Sequence, residues 1–210
     1  MSNIERRGLP AIDHPITESE EGRKFTGLAA VFNSPSEDLG GFVEYIDRRA
    51  FDDVLATNPD VVANWNHRDD DLLGRTSSGT LRLWTTDAGL HYELDPPDTT
   101  LGRDLRELLK RKDVTGSSFA FTVAKDSWEK RDGKRIRTVE KIGMLLDVAL
   151  VSTPAYSDSS VALRSLKAIE DQEAPPEEVR EPSPAYTRAV NTSKAAVARA
   201  TAEISRSKEG

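Results

Sequence analysis

The chain has 210 residues, a formal net charge of -7 and no cysteine. The missing cysteines exclude a disulfide scaffold, a thiolate metal site and a cysteine nucleophile. An acidic balance with both signs interspersed argues against a specific nucleic-acid partner, and no stretch approaches the roughly 18 apolar residues of a membrane span.

Residues 23–164 hold nearly all the aromatic and most β-branched residues, which predicts one domain with its own core. Residues 1–22 are short, polar and acid-leaning, and read as a flexible segment. Met1 to Arg7 has no apolar run behind it, so a signal peptide is not expected. Residues 165–210, with Pro175, Pro176, Pro182 and Pro184 among many charges, read as a flexible tail. Its alanine-rich stretch from Thr192 to Ser205 is the one place in it for a short helix.

In chain order, Phe25–Phe32 and Phe42–Ile46 read as strands. Asp47 is placed to cap a short helix over 48–56, with Ala50, Phe51, Val54 and Leu55 on one face. Val61–Trp65 is a third strand that ends at His67. Thr80–Trp84 and Leu90–Leu94 flank Asp87-Ala88-Gly89, a hairpin signature. Thr100 is placed to cap an amphipathic helix carrying Leu101, Leu105, Leu108 and Leu109, with Lys110, Arg111 and Lys112 in its last turn. A strand through Ser118 follows, then a charged hairpin at Asp132-Gly133, and a last core strand over Met144–Val151. Strands outnumber helices by about three to one and most joins are short turns, so the expected class is mostly β with flanking helices (α+β), its core an antiparallel sheet or barrel.

Few residues suit chemistry. His67 ends a buried strand beside polar residues, where a general base would sit; the same position suits a surface histidine next to the acidic run Asp69-Asp70-Asp71. Gly116-Ser117-Ser118 opens into Phe119-Ala120-Phe121. Alternation puts Ser118, Ala120 and Thr122 on one face, and Ser117, Phe119 and Phe121 on the other. The aromatic face is the core side, so Ser118 faces a cleft and Ser117 the interior; a plain turn into a strand gives the same pattern. Asp147 interrupts the apolar run Met144–Val151. Either it is paired in the interior, for which a histidine would serve, or it faces out from a half-exposed strand. Arg75 and Ser117 are candidates for oxyanion or substrate contacts, whereas Arg103 reads as a surface arginine. Trp65, Trp84 and Trp128 read as packing residues.

Together these segments resemble the prohead proteases of tailed phages, a serine peptidase family related in fold to herpesvirus assemblin. The matching pieces are Gly27–Asn33, Asn66-His67 with Leu73-Gly74-Arg75, Ser118–Phe121, and Asp147–Tyr156, in that order, across residues 23–164. The resemblance implies an antiparallel β-barrel-like core of the assemblin type. It implies His67 as general base, Ser118 as nucleophile and Asp147 as the third member, with no cofactor and no metal. Asp147 stands where the family often has glutamate, and Ala120 where glycine is usual. Assemblins use a second histidine as third member, and His91 is the candidate for that role here. The implied substrates are the major capsid protein or a scaffold protein, and the chain itself, inside the assembling prohead in the host cytoplasm; a homodimer is a further expectation from assemblin. Two rivals remain: a catalytically inactive β-rich assembly module of the same fold, in which Ser118 and His67 need not meet, and a metal-dependent hydrolase built on His67, Asp69, Asp70 and Asp71.

Overall fold

The structure, a computed structural model, describes residues 4–9, 14–19, 23–153 and 166–167. The chain divides into two units, residues 1–169 and 170–210, and every described residue lies in the first. The expected alanine-rich helix, and all of the tail beyond residue 167, lie outside the described residues.

Strands β1 (Glu5–Leu9), β2 (Thr17–Glu18), β3 (Phe25–Val31) and β4 (Phe42–Ile46) lead into the short helix α1 (Asp52–Ala56). Strands β5 (Val62–Trp65), β6 (Leu72–Arg75), β7 (Leu81–Thr85) and β8 (Gly89–Leu94) follow. Then come helix α2 (Thr100–Arg111) and a long hairpin of β9 (Gly116–Arg131) and β10 (Lys134–Val151). A four-stranded antiparallel sheet runs β2-β3-β8-β7, and a six-stranded sheet runs β1-β9-β10-β5-β6, with β4 also paired to β10. The mostly-β class with few helices therefore holds. The six-stranded sheet is mixed rather than antiparallel, because one edge of the long β10 is shared by β4 and β5, both parallel to it. Both sheets are open, not closed into a barrel.

Local chemistry accounts for most elements. At the tip of the β9–β10 hairpin, Asp132 and Gly133 adopt φ of 51° and 77°, the left-handed pair that a two-residue turn needs. Helix α2 is capped by Thr99, one residue before the expected Thr100: its side chain accepts from the Gly102 N–H. Left-handed Lys112 closes the helix, and the following turn feeds β9. Helix α1 is shorter than expected, since residues 48–51 form turns; Asp47 Oδ1 accepts from the Arg49 N–H, before the helix proper. Between the sheets, Phe51 packs on Phe32 and Phe119, and Phe119 stacks on Phe121 at 4.7 Å between ring centroids. Each such buried ring contributes on the order of 1.5–3 kcal/mol. Leu166 is buried with Leu39 and Phe42, so packed chain reaches past the expected boundary at 164.

The largest departure from expectation is at the start. Glu5–Leu9 is not a flexible segment but an edge strand, antiparallel to β9, with Gly8 opposite Ser118. Its polar sequence hid this because the side chains it buries are charged. Arg7 donates from Nε to Glu44 Oε1 at 2.7 Å and from Nη2 to Glu5 Oε2 at 2.6 Å. Arg137 donates from Nη1 to Glu5 Oε2 at 2.8 Å and to Glu44 Oε2 at 2.9 Å, and from Nε to Asp126 Oδ2 at 2.7 Å. Glu5, Arg7, Glu44 and Arg137 are all buried, and burial of charge is tolerable only with such pairing.

Burial disfavours the Glu5 carboxylate, but hydrogen bonds and charge from Arg137, then Arg7, outweigh it and hold its pKa below the ordinary value. Native Glu5 thus takes up a proton less readily than unfolded Glu5. Its contribution is complete above the unfolded pKa of about 4.3 and is lost as pH falls through the lower folded value. Urea midpoints should therefore drop below about pH 4, and Glu5→Gln, already weaker at neutral pH, should show a smaller drop.

Candidate active site

The site lies where β9, β10 and the turn after β5 converge. Ser118 and Ala120 share one face of β9 with their cross-strand partners Ala149 and Asp147, and Asn64 of β5 lies opposite Ala149. A bulge sets this up. Leu145 pairs with Phe121 and Asp147 with Ala120, so two steps along β10 match one along β9 and Leu146 is the extra residue. Without that bulge Leu145 would fall on the Asp147 face; with it Leu145 joins the core while Asp147 stays beside Ser118.

His67 arrives from the turn after β5. Asn66 and His67 both sit in the left-handed region, φ 55° and 57°, a conformation that Asn and His tolerate better than most residues. The turn is tied down by Asn66 N–H to the Leu150 carbonyl at 3.0 Å and by the Ser152 N–H to Asn66 Oδ1 at 3.1 Å. It folds the imidazole back over the sheet. His67 Nε2 lies 2.7 Å from Ser118 Oγ, and Nδ1 lies 2.8 Å from Asp147 Oδ1. His67 and Asp147 side chains are only 11% and 10% exposed, and Ser118 is fully buried. Asp147 is thus on the paired, interior side of its two readings. With its carboxylate accepting the Nδ1–H, Nε2 is left free to accept the serine proton, the arrangement a general base requires. Asn64, buried and missed by sequence reasoning, donates from Nδ2 to Asp147 Oδ2 at 3.4 Å. Its one signal was its place in Asn64-Trp65-Asn66-His67, two positions before the turn.

Ser118 Oγ also lies 2.9 Å from the Arg7 carbonyl, a second acceptor within reach of its single proton. It faces away from the aromatic core as alternation predicts, but β1 covers it, so the expected open cleft is absent here.

The other candidates are not brought to this cluster. Ser117 points to the opposite face, where its hydroxyl meets the buried Tyr92 hydroxyl at 2.9 Å. Burial raises the Tyr92 pKa, and the Ser117 hydrogen bond only partly opposes this. Arg75, on β6, pairs with Asp60 at 3.2 Å and is half exposed. His91 stacks on Trp84 at 5.4 Å and bonds Thr86, whereas the partner of His67 Nδ1 is Asp147. Trp84 is exposed rather than packed inside, whereas Trp128 packs on Phe42. Arg103 is a surface residue paired with Asp98. His67 turns toward Ser118 and Asp147 while Asp70 and Asp71 pair with Arg68, and no group of three or more His, Cys, Asp or Glu that could hold a metal forms among the described residues.

A family model described as the caudovirus prohead serine protease matches residues 11–173. The chain belongs to that family. It is a phage prohead protease by descent, and the contact of Ser118 with His67 is the one an inactive assembly module would not need. Among solved structures it is similar to the bacteriophage T4 capsid assembly protease gp21, at 13% identity and a TM-score of 0.42, covering 71% of this chain and 96% of that one. No curated protein matches. Strand β1 precedes the family match altogether. Among the described residues no helix is long and apolar enough to cross a membrane.

Proposed function

We propose that this prohead protease is an active serine endopeptidase that cuts a scaffold protein, or the scaffolding segment of the major capsid protein, and its own chain, inside the assembling prohead in the host cytoplasm. The observation that carries the reading is the continuous relay from Ser118 Oγ through His67 to Asp147, at 2.7 and 2.8 Å. As Ser118 Oγ bonds to the peptide carbonyl carbon, its proton passes to His67 Nε2. Asp147 holds the ring and balances the imidazolium. The proton then goes to the departing amine, and water repeats the sequence to release the acyl group.

Asn64 is a positioning residue for Asp147. Asn64→Ala is expected to lower kcat about tenfold with KM unchanged, the loss of roughly 1.4 kcal/mol of transition-state stabilisation. Steady-state kinetics on a peptide substrate checks this split.

The substrate claim is tested by incubating the full chain with the cognate capsid and scaffold proteins and following intact masses with time. Discrete cuts in those proteins or in the chain itself are expected. A folded chain that leaves all of them whole would favour an assembly role without catalysis.

A further inference from the structure

Two bulges follow one another along β10, and each shifts the side chains beyond it to the opposite face of the sheet. The later one keeps Asp147 beside Ser118. The earlier one lies between Ile142 and Met144, which pair with Val123 and Thr122, so Gly143 is its extra residue. Ile142 is in the core, and regular alternation would put Met144 there too. The bulge sets Met144 on the catalytic face instead, where it is 50% exposed. Two neighbours fix this bulge. The buried Thr122 accepts the Met144 N–H on Oγ1 at 3.0 Å, and a Cβ on Gly143 would come within 2.9 Å of the same oxygen.

An apolar side chain is thus taken from the core face and displayed on the face that carries Ser118 and Asp147. Leu72, opposite Asn64 on β6, is a second exposed apolar side chain on that face. Thr122, the cross-strand partner of Met144, stands at the fourth residue along β9 from Ser118, about 13 Å at the rise of a strand. A peptide lying extended along this face, with its scissile carbonyl at Ser118, therefore brings a side chain about four residues from the scissile bond over Met144. The unbranched thioether adapts its shape to an aliphatic partner and offers nothing to a charged one.

We propose that Met144 is a specificity-determining residue, the floor of an apolar subsite that takes an aliphatic side chain of the substrate about four residues from the scissile bond. The occupant is a substrate segment because this surface is continuous with Ser118 and Asp147 on one sheet face, and bulges beside active sites serve to re-aim side chains. The subsite rests on the protease reading. Thr122 and Gly143 act through Met144: they hold the bulge that presents it.

The test measures kcat/KM of the full chain on quenched-fluorescence decapeptide pools. In each pool one position is fixed as Leu, Ala or Asp and the rest are mixed, and the cut sites are read by mass. The wild-type chain should favour Leu over Asp by about tenfold or more at one position about four residues from the cut. Met144→Ala should remove most of that preference, and Met144→Lys should reverse it toward Asp. Trp84→Ala, which removes an exposed apolar side chain from the other sheet, should leave the profile unchanged. The same preference in wild type, Met144→Ala and Met144→Lys would overturn the subsite and leave the protease reading standing. No hydrolysis by the folded wild-type chain would sink the protease reading, and the subsite with it. Sedimentation of the same proteins covers a second copy: a dimer that Met144→Lys dissolves, with the cleavage profile unchanged, would assign the face to self-association and overturn the proposal.

Discussion

Replacing Ser118 with alanine is expected to reduce peptide hydrolysis by about 10⁴–10⁶-fold, the range in which a nucleophile's loss leaves only binding and oxyanion stabilisation. The fold should survive. Ser118 Oγ gives up the hydrogen bond of its single proton, for which His67 Nε2 and the Arg7 carbonyl are both within reach, a loss of about 1 kcal/mol for a neutral bond. The neighbouring hydroxyl supplies the contrast. Ser117 meets Tyr92 on the core side, so Ser117→Ala should cost roughly 1 kcal/mol in urea unfolding and leave kcat within a fewfold. If Ser117→Ala were the inactive variant and Ser118→Ala the active one, the register of β9 described above would be wrong.

The second large effect is on stability. Arg137 is 2% exposed and reaches Glu5, Glu44 and Asp126. Arg137→Met keeps the length and apolar stem of the side chain but takes the guanidinium away from the buried Glu5 and Glu44 and from the part-exposed Asp126. Stranding buried charge in this way costs about 3–5 kcal/mol, a large share of the total stability of a domain. Urea unfolding followed by tryptophan fluorescence should show the midpoint fall, and the m-value should stay the same if the fold is kept. Trp128, whose ring faces the Arg137 guanidinium at 5.6 Å, is a local reporter of the cluster. A shift under 1 kcal/mol would mean that the cluster is hydrated and screened rather than buried.

The parts of the fold that could be read in the sequence are those governed by short-range chemistry. Phe25–Val31, Phe42–Ile46 and the α2 leucines announced themselves by period, and Asp132-Gly133 by turn preference. The face assignment of Ser118 followed from alternation against Phe119 and Phe121, and Asp147 stood out as a charge within an apolar run. What stayed hidden depends on distant partners. Glu5 and Arg7 look like solvated charge until Arg137 and Glu44, more than a hundred and about forty residues away in places, are set beside them. β6 is four residues long and becomes a strand through its pairing with β5. The bulge at Leu146 has no local signature, since Leu145-Leu146 reads equally well in either register. The parallel pairing of β4 and β5 with β10 likewise arises from topology, not from composition.

The most direct test of a catalytic Ser118 is covalent. The folded chain would be incubated with a fluorophosphonate and followed by intact mass and peptide mapping. A single adduct at Ser118, forming to completion and absent in His67→Ala or in the denatured chain, is the predicted result. Peptide hydrolysis that persists with Ser118 unmodified, or an adduct at any other serine, would contradict it.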